Sequence, residues 1–533
     1  MIDKNSIYIQ DIIINLKKLL NRNLEFISSS YTKSKSKIFY GHSFLLSLKN
    51  YLEPNIYDLI SKQTLHELKK KDQTVHLEFL KTAIGLNSLV SPNQNEKLKI
   101  LKKFALKAGY RNNSTTNWIL LKLLAQTLLH ENYDGTEIFS KLLIFLRKDS
   151  SNFIRDNCID FSLQYHWFII WELAKIYQFS LKKYYLKQYL KTIGLAEKLI
   201  LSNARLSYFG RGQEQLFSYG ASVYAFSFKY FLLREEKTLA FLKDIVSFLL
   251  SIQEKNGYIP LIISKNRTPK NFGVFETPLN KTKFKNGWYR YNNFWDYFLF
   301  FTYTIYDSIR LLSRINTKNV LKTNFTYNNP SIPNFLQKFD LNNDLSIFYL
   351  KLGRKLSQDL FFPYVVYNNR FLIPIPGGEE YKNPYDIHLQ ASYPYLRVKD
   401  EDITLIKRNN WVFNKNVGKI STKFFNFKRT INLNNKKRNN LDISIIDEIK
   451  LNRISPNMEL YSVNIPLWSK LETNNVLLED QRYRISIEFP SGFKISKKKV
   501  FTPLGEAFRY YVKEEKLKWN IKKKWNIQIK SFN

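Results

Sequence analysis

The sequence predicts an α+β protein of two parts, an N-terminal (α/α) helical toroid followed by a C-terminal antiparallel β-sandwich. Apolar residues recur every three or four positions from residue 7 to about 253. Short runs of β-branched and aromatic residues come after residue 315. A chain of 533 residues is also longer than one ordinary hydrophobic core supports. We therefore expect a toroid domain over 1–315 and a linker with a mostly β domain over 316–533.

The helical part is predicted from the spacing of its apolar residues. This spacing predicts helices over 7–20, 55–70, 74–88, 95–108, 116–131, 136–147, 161–177, 183–200, 212–232, 236–253 and 293–313. Short loops between them indicate stacked αα-hairpins. No repeat of fixed period is visible, which favours a closed or partly closed toroid over an array of helical repeats. Glycine and proline interrupt residues 254–292, and a long loop of this kind is typical of a functional loop beside a cleft.

The strands are predicted from alternation and β-branched residues. They are expected over 362–367, 371–375, 403–406, 410–413, 441–449, 460–465, 483–489 and 525–529. A β-sandwich allows many short antiparallel strands to bury one face each. Asparagine-rich and proline-punctuated residues after 315 are expected to be a linker, and the lysine-rich block 493–524 a solvated face.

The charge balance limits the classes of partner. There are 83 lysine and arginine residues against 45 acidic ones, a net charge of +38. Such a field concentrates polyanions, so nucleic acid, an anionic membrane surface and an acidic polysaccharide all fit. The excess could equally reflect a compositional bias toward Lys, Asn, Ile, Phe and Tyr. The charge alone therefore does not choose the partner.

Several classes are disfavoured by what the sequence lacks. The six histidines show no metal-binding spacing, and neither a P-loop nor a dinucleotide fingerprint is present, so we expect no metal and no cofactor. The basic residues are scattered without a nucleic-acid-binding motif, so nucleic acid is not the expected partner. The single cysteine, Cys158, excludes an internal disulfide framework. With no signal-like start and no long apolar run, we expect a cytoplasmic protein without a membrane span, its oligomeric state left open.

Two groups of polar and aromatic residues lie where predicted helices begin. Asn117 and Trp118 open the helix over 116–131, where asparagine is also a common cap. The second group opens the helix over 161–177 and is more polar than a buried aromatic helix requires. It consists of Asp156, Asp160, Gln164, Tyr165, His166, Trp167 and Trp171. Tyr165 and His166 are candidate acid–base groups, although a single histidine in an apolar helix is usually structural.

The third group, residues 208–215, leads into the helix over 212–232. Arg211 stands between two glycines, where a tight turn allows its guanidinium to bind a carboxylate or phosphate. The helix start that follows favours an anion. Glu214 could complement the helix dipole, and Gln213 or Gln215 could cap it. The pattern nevertheless predicts a binding role for Arg211.

These three groups resemble motifs of a known enzyme class. Helical-toroid polysaccharide lyases of the hyaluronate/chondroitin lyase and heparinase II/III type carry an Asn-Trp pair, a helix supplying His and Tyr, and a Gly-Arg turn, in that order. Asn117-Trp118, Tyr165-His166 and Gly210-Arg211 follow the same order, and residues 110–230 also resemble a related uncharacterised bacterial family. The resemblance implies an acidic polysaccharide as partner.

The resemblance also implies β-elimination at a uronic acid. Asn117 and Arg211 would neutralise the uronate carboxylate, and His166 and Tyr165 would serve as base and acid. Glu214 is counted with these catalytic candidates. The candidate substrate-binding residues are Trp118, Asp160, Gln164, Trp167, Gln213, Gln215, Tyr219, Trp288 and Tyr289.

Two other functions remain open at this point. A glycoside hydrolase on the same scaffold would need two carboxyl groups about 6.5–9.5 Å apart if it inverts. Candidates for these are Asp156, Asp160, Glu214 and Asp296. A non-catalytic protein that holds an acidic glycan during surface-polysaccharide assembly is the other alternative. All three require the Asn117, Tyr165 and Arg211 groups to meet at one hollow that solvent reaches.

Overall fold

The computed structural model divides into two compact units, one built from helices and one from strands. Of the described residues, the helical unit holds those up to 263, 294–315 and 331–332, and the strand unit holds those from 333 onward. The structure describes residues 4–34, 38–70, 76–90, 96–111, 113–157, 161–210, 212, 214–263, 294–315, 331–341, 344–351, 363–367, 370–373, 394–398, 401–403, 412–437, 440–467, 476–502 and 505–532. The α+β class is confirmed. The predicted domain boundary adjoins 316–330, which lie outside the described residues, and it stays a prediction.

The helical unit contains the helices that the apolar spacing predicted, together with one short helix that it did not. The α-helices are α1 (Lys4–Ser30), α2 (Gly41–Phe44), α3 (Pro54–Lys69), α4 (Leu77–Val90), α5 (Glu96–Lys107), α6 (Thr116–Leu129), α7 (Asp134–Arg147), α8 (Leu163–Ser180), α9 (Lys183–Leu199), α10 (Leu216–Leu233), α11 (Glu236–Ile252) and α12 (Phe294–Leu312). Short 3₁₀ segments span Leu45–Tyr51 and Ser202–Ala204. Helix α2 has only four residues, which is too short for a periodic pattern.

The even-numbered helices pack against one another in order. Each of α2, α4, α6, α8 and α10 contacts the next, and α12 contacts α2, which closes the series. Helices α8, α10 and α12 are buried along nearly their whole length, as expected of helices that are apolar on all sides. The close approach of α10 and α12 requires Gly220, because a Cβ there would lie 2.6 Å from Thr304 Oγ1.

The two ends of this series are joined by one carboxylate. Asp296, in the first turn of α12, accepts hydrogen bonds from the backbone N–H groups of Tyr40 at 2.7 Å and Gly41 at 2.6 Å. Phe39 N–H also donates to it, at 3.1 Å. A Cβ on Gly41 would lie 2.5 Å from the Asp296 Cα, so only glycine allows this approach. The three bonds hold the start of α2 against the start of α12.

The strand unit consists of antiparallel sheets. The strands are β1 (Leu336–Asp340), β2 (Leu345–Leu350), β3 (Tyr364–Tyr367), β4 (Arg370–Phe371), β5 (Tyr395–Val398), β6 (Glu401–Ile403), β7 (Val412–Asn414), β8 (Val417–Ser421), β9 (Phe425–Lys437), β10 (Asn440–Leu451), β11 (Met458–Leu467), β12 (Val476–Glu479), β13 (Tyr483–Glu488), β14 (Phe493–Thr502), β15 (Gly505–Lys513) and β16 (Asn520–Ser531). In the described residues they form sheets of order β1-β2-β3-β4, β12-β13-β16-β10-β9-β8-β7 and β14-β15-β11-β5-β6. Buried isoleucines such as Ile443 and Ile527 pair across β10 and β16, which fixes the register of one covered face.

One of the sequence predictions for this unit is wrong, because the expected linker contains β1 and β2, and β2 is buried at every position. The lysine-rich block, expected to be a solvated face, contains β14 and β15, which the sequence did not predict as strands. A strand that is buried on both faces shows no alternation of apolar and polar residues. Lysines along one face of a strand make the apolar residues on its other face hard to recognise in the sequence. None of the described helices is long and apolar enough to cross a bilayer; the cytoplasmic location stays a prediction.

Candidate functional site

The first turn of α6 is held by the chain segment that leads to α8. The backbone N–H of Thr116 donates to the Asp156 carbonyl at 2.8 Å, and that of Asn117 donates to Asp156 Oδ1 at 3.3 Å. The buried Arg147 guanidinium donates to the same carbonyl at 2.6 Å. These hydrogen bonds therefore join the start of α6 to the segment before α8, and so bring together two of the three predicted groups, those of Asn117 and Tyr165.

The side chain of Asn117 has a free donor. Its Oδ1 accepts the Thr115 hydroxyl and the Trp118 backbone N–H, both at 2.7 Å. No described residue accepts a hydrogen bond from its Nδ2 group, and the residue is 5% exposed. The Asn117 oxygen thus satisfies one backbone N–H in the first turn of α6, whose N-cap residue is Thr115, and the donor beside it is unused.

The turn formed by Gly210 and Gly212 lies on the first turn of α8. Both glycines have positive φ, +89° and +80°. An added Cβ would lie 2.3 Å from Ser162 Cα at the first position and 2.4 Å from Gln164 Nε2 at the second. The turn therefore needs glycine for both its conformation and its close approach. Arg211 lies between them but outside the described residues, so the third group meets the second through its glycines.

The Tyr40, His76 and Trp118 rings lie together where these helices begin, and with the nearby Tyr165 we call them the aromatic rim. The His76 ring is 5.4 Å from the Trp118 ring and 5.2 Å from the Tyr40 ring. Burial raises the pKa of Tyr40, and the nearby Tyr297, Asp296 and Tyr165 raise it further. Tyr40 is buried, whereas the other three rings are partly exposed. The rim is thus a surface that solvent reaches.

The sequence did not predict two members of the rim, or the cation beside it. Tyr40 precedes the short α2, and His76 directly precedes α4. The exposed Arg111 guanidinium lies 5.4 Å from the Trp118 ring. Unlike His166, His76 was considered only as a metal ligand, although it stands at a helix start just as Asn117 and Tyr165 do. Its position at a helix start was therefore the feature of the sequence that could have identified His76 as a site residue.

His166 lies in the interior beneath this surface. Its Nδ1 accepts the Ile154 backbone N–H at 3.2 Å, and its ring stacks on Phe153 at 4.3 Å. Nε2 is buried and has no hydrogen-bond partner in the described residues. Its backbone bond holds the segment that carries Asp156 against α8. The position is that of a structural histidine, the alternative left open by the sequence.

Three other predicted binding residues are also enclosed. Trp167 is 1% exposed and donates its indole N–H to the Leu206 carbonyl at 2.9 Å, so its ring faces contact protein and not solvent. Gln164 and Gln215 are buried, and their amide groups have no hydrogen-bond partner in the described residues. Neither glutamine has a surface that a glycan could contact in this conformation.

Glu214 forms a buried ion pair. Its Oε2 accepts Arg205 Nη1 at 2.5 Å and the Tyr219 hydroxyl at 2.8 Å. Arg205 also donates to the Ile263 carbonyl at 2.5 Å. Burial raises the pKa of the Glu214 carboxyl, and the adjacent guanidinium opposes that rise. Both Glu214 and Tyr219 are 0% exposed, so the geometry fits a structural role for them.

Where the structure describes them, the carboxylates considered for a hydrolase bind other groups of the protein. Asp156 binds the start of α6 and Asp296 the start of α2, as given above, and both are buried. Burial raises the pKa of Asp296 to about 6, although its three backbone donors favour the charged form. Asp160, Arg211, Gln213, Trp288 and Tyr289 lie outside the described residues. In the described part of the chain, no three His, Cys, Asp or Glu residues are placed to hold a metal ion.

No known protein family matches the sequence, and no curated protein matches it. The solved structures that it resembles include heparinase III, a polysaccharide lyase and an unsaturated glucuronyl hydrolase. The resemblance to heparinase-type toroid proteins predicted from the sequence motifs is confirmed.

Three of these structures illustrate the likeness. Heparinase III is 10% identical with a TM-score of 0.46, over 92% of this chain and 77% of its own. A mutant of the heparan sulfate lyase HepC from Pedobacter heparinus is 8% identical with a TM-score of 0.45, over 92% and 73%. A mutant of the unsaturated glucuronyl hydrolase of Streptococcus agalactiae is 12% identical with a TM-score of 0.39, over 56% and 91%.

The buried histidines predict acid sensitivity. Burial lowers the pKa of His166 to about 4 and that of His42 to about 3, from an ordinary value of 6.5. Because each takes up a proton on unfolding below pH 6.5 but not in the folded state, stability falls as the pH drops from 6.5 toward 4. Linkage gives a loss of about 2 kcal/mol for each histidine between pH 7 and pH 5. Urea unfolding at the two pH values measures the loss.

A His166→Gln variant is the matched control for this experiment. We expect it to lose less stability than the native chain between pH 7 and pH 5, because one of the two titrating groups is gone. An equal loss in both proteins would contradict a neutral, buried His166.

Proposed function

We propose that this protein acts on an acidic, uronate-containing polysaccharide and cleaves it by β-elimination at the aromatic rim. The observation that carries the proposal is the grouping of three partly exposed rings, His76, Trp118 and Tyr165, beside the free Nδ2 donor of Asn117. Aromatic rings stack on sugar faces, and an amide donor with an adjacent guanidinium binds a carboxylate. The Arg111 guanidinium, 5.4 Å from the Trp118 ring, gives the site a positive charge.

The first requirement of elimination is to neutralise the uronate carboxylate, because that makes the C5 proton more acidic. In the proposed mechanism, Asn117 Nδ2 donates a hydrogen bond to the carboxylate and Arg111 supplies charge close by. Arg211, on the turn between Gly210 and Gly212, is assigned to the same carboxylate. Donors that are in place before the reaction stabilise the charge that develops on the carboxylate in the transition state.

The second requirement is a pair of proton transfers. A base removes the C5 proton, the electron pair forms the C4–C5 double bond, and the C4–O bond breaks while an acid protonates the leaving oxygen. We assign these transfers to Tyr165 and His76, which are both partly exposed, and the His76 ring lies 5.2 Å from the Tyr40 ring. His166 becomes a positioning residue, since its Nδ1 holds the Ile154 backbone and thereby the Asp156 segment.

We also propose a finer architecture for each of the two units. The closed series of even-numbered helices supports an (α/α) toroid in which these helices form the inner ring. The antiparallel order of the strand sheets, with isoleucine-rich covered faces, supports a β-sandwich. In such a toroid the starts of α4, α6 and α8 share one end, which is where the rim lies.

The carboxylates named for a hydrolase do not favour that alternative where the structure describes them. Asp156, Asp296 and Glu214 each bind protein groups and are buried. The lyase assignment is therefore preferred over hydrolysis, and a non-catalytic glycan-binding role is kept as an outcome of the test.

The test is incubation of the purified chain with uronate-containing glycans, with neutral glycans as the control. We expect ultraviolet absorbance and reducing ends to rise together on uronate-containing glycans only, since elimination leaves a double bond conjugated to the carboxylate. A rise in reducing ends without ultraviolet absorbance would indicate a hydrolase and not a lyase. Binding without either signal would leave a glycan-binding protein.

A further inference from the structure

Helix α7 carries its large apolar side chains on its outer surface. Ile138 is 69% exposed, Leu142 48%, Phe145 76% and Leu146 58%, and Phe139 beside them is 39% exposed. These five are among the seventeen exposed large hydrophobic residues of the described chain, yet α7 has only 14 residues. At 100° per residue they span an arc of about 120° on one side of the helix. Contiguous exposed apolar surface of this kind marks an interaction site.

The inner face of the same helix is held by polar bonds. Glu137 pairs with Lys182, and Ser140 lies 3.0 Å from the Tyr185 hydroxyl. Arg147 donates to Thr116 Oγ1 at 3.1 Å. All three inner residues are buried. Because each has a specific partner, the helix cannot rotate to bury its apolar stripe without breaking these bonds.

A group of lysines lies on the neighbouring helix α9 and at the end of α7. Lys183, Lys187 and Lys191 follow one another at intervals of four along α9, and Lys182, before that helix, contacts Glu137 of α7. Burial lowers the pKa of Lys148, at the end of α7, and the nearby Lys191 and Lys187 lower it further. No described carboxylate lies within salt-bridge distance of Lys148, Lys187 or Lys191. These lysines thus repel one another, and an anionic surface would relieve that repulsion.

We propose that α7 docks on a membrane surface containing anionic lipids, with its apolar stripe in the interface and the α9 lysines on the headgroups. An apolar stripe flanked by lysine is the pattern of helices that lie in a membrane interface. Anionic headgroups attract such lysines. A second copy of the chain fits less well, because apposing two α7 faces would bring both lysine groups together. The inference is independent of the proposed glycan activity.

Sedimentation with vesicles tests the proposal on the full chain. We expect binding to vesicles of phosphatidylcholine with roughly 30% phosphatidylserine, and much weaker binding to phosphatidylcholine alone. Phe145→Ser should weaken binding about tenfold, since most of an exposed phenylalanine is buried in the interface. Lys183→Glu with Lys187→Glu should weaken it by at least about tenfold. The matched controls are Ile14→Ser, at a residue 60% exposed on α1, and Lys255→Glu.

Two results would overturn the proposal. One is equal binding by Phe145→Ser and Ile14→Ser to the anionic vesicles. The other is a dimer of the free chain that dissociates on Phe145→Ser, because the face would then be an interface between copies. Since the α7 side chains are exposed, helix content and the unfolding midpoint should stay unchanged in every variant, which separates lost docking from lost folding.

Discussion

Replacing Tyr165 with phenylalanine is expected to reduce the rate of elimination by about 10²- to 10⁴-fold, the usual contribution of a positioned acid or base. The change removes one hydroxyl from a partly exposed residue in the first turn of α8, so the fold should be retained. The loss should appear in kcat, because a proton transfer belongs to the transition state and not to substrate binding. The measurement is the initial rate of ultraviolet absorbance on the best uronate-containing glycan.

Tyr177→Phe provides the matched control. Tyr177 is partly exposed on the same helix, three turns further along, and away from the aromatic rim. This variant should keep full activity. A normal rate of elimination by Tyr165→Phe would contradict the assignment of Tyr165 as acid or base. The same experiment on His76→Ala would then test the other member of the proposed pair.

Replacing Arg205 with methionine is expected to destabilise the helical unit by about 3–5 kcal/mol. The change leaves the Glu214 carboxylate buried without its cation, and such a charge cannot regain hydration. Tyr219 would remain as a donor but cannot neutralise the charge. The measurement is the free energy of unfolding in urea, followed by a signal that reports on the helices.

The double variant Arg205→Met with Glu214→Gln separates structure from catalysis. Removing both charges should recover a large part of the lost stability, because no unpaired charge remains. If the recovered protein eliminates at the normal rate, Glu214 is structural. A stable double variant without activity would support the catalytic role that the sequence resemblance implied for Glu214.

The helices were the most predictable part of the fold. Their apolar residues predicted α8 and α10 to within a few residues at most ends, because an apolar run of this length exceeds a strand and is typical of a buried helix. The strands β1 and β2 were missed among asparagine and proline residues, which usually mark loops. Tertiary burial, which a local pattern does not record, decides such segments.

The candidate site was predicted in location more than in detail. Polar residues at the starts of α6 and α8 indicated where side chains would meet, and the Asp156 bonds bring those starts together. Which of two neighbours faces solvent depends on long-range packing, so Tyr165 and His166 could not be told apart. The pairing of Arg205 with Glu214 across a nine-residue turn likewise follows no helical or strand period.

The carboxylate of Asp296 has a consequence for how the chain reaches its final form. It binds the backbone of Gly41, 255 residues earlier in the chain. Because the chain is synthesised from its N-terminus, the start of α2 can bind Asp296 only after residue 296 has been made. Contacts of such high sequence separation slow folding. Until then the face of α2 that packs against α12 stays uncovered. We therefore expect nascent chains that stop before α12 to need chaperone protection and to aggregate without it.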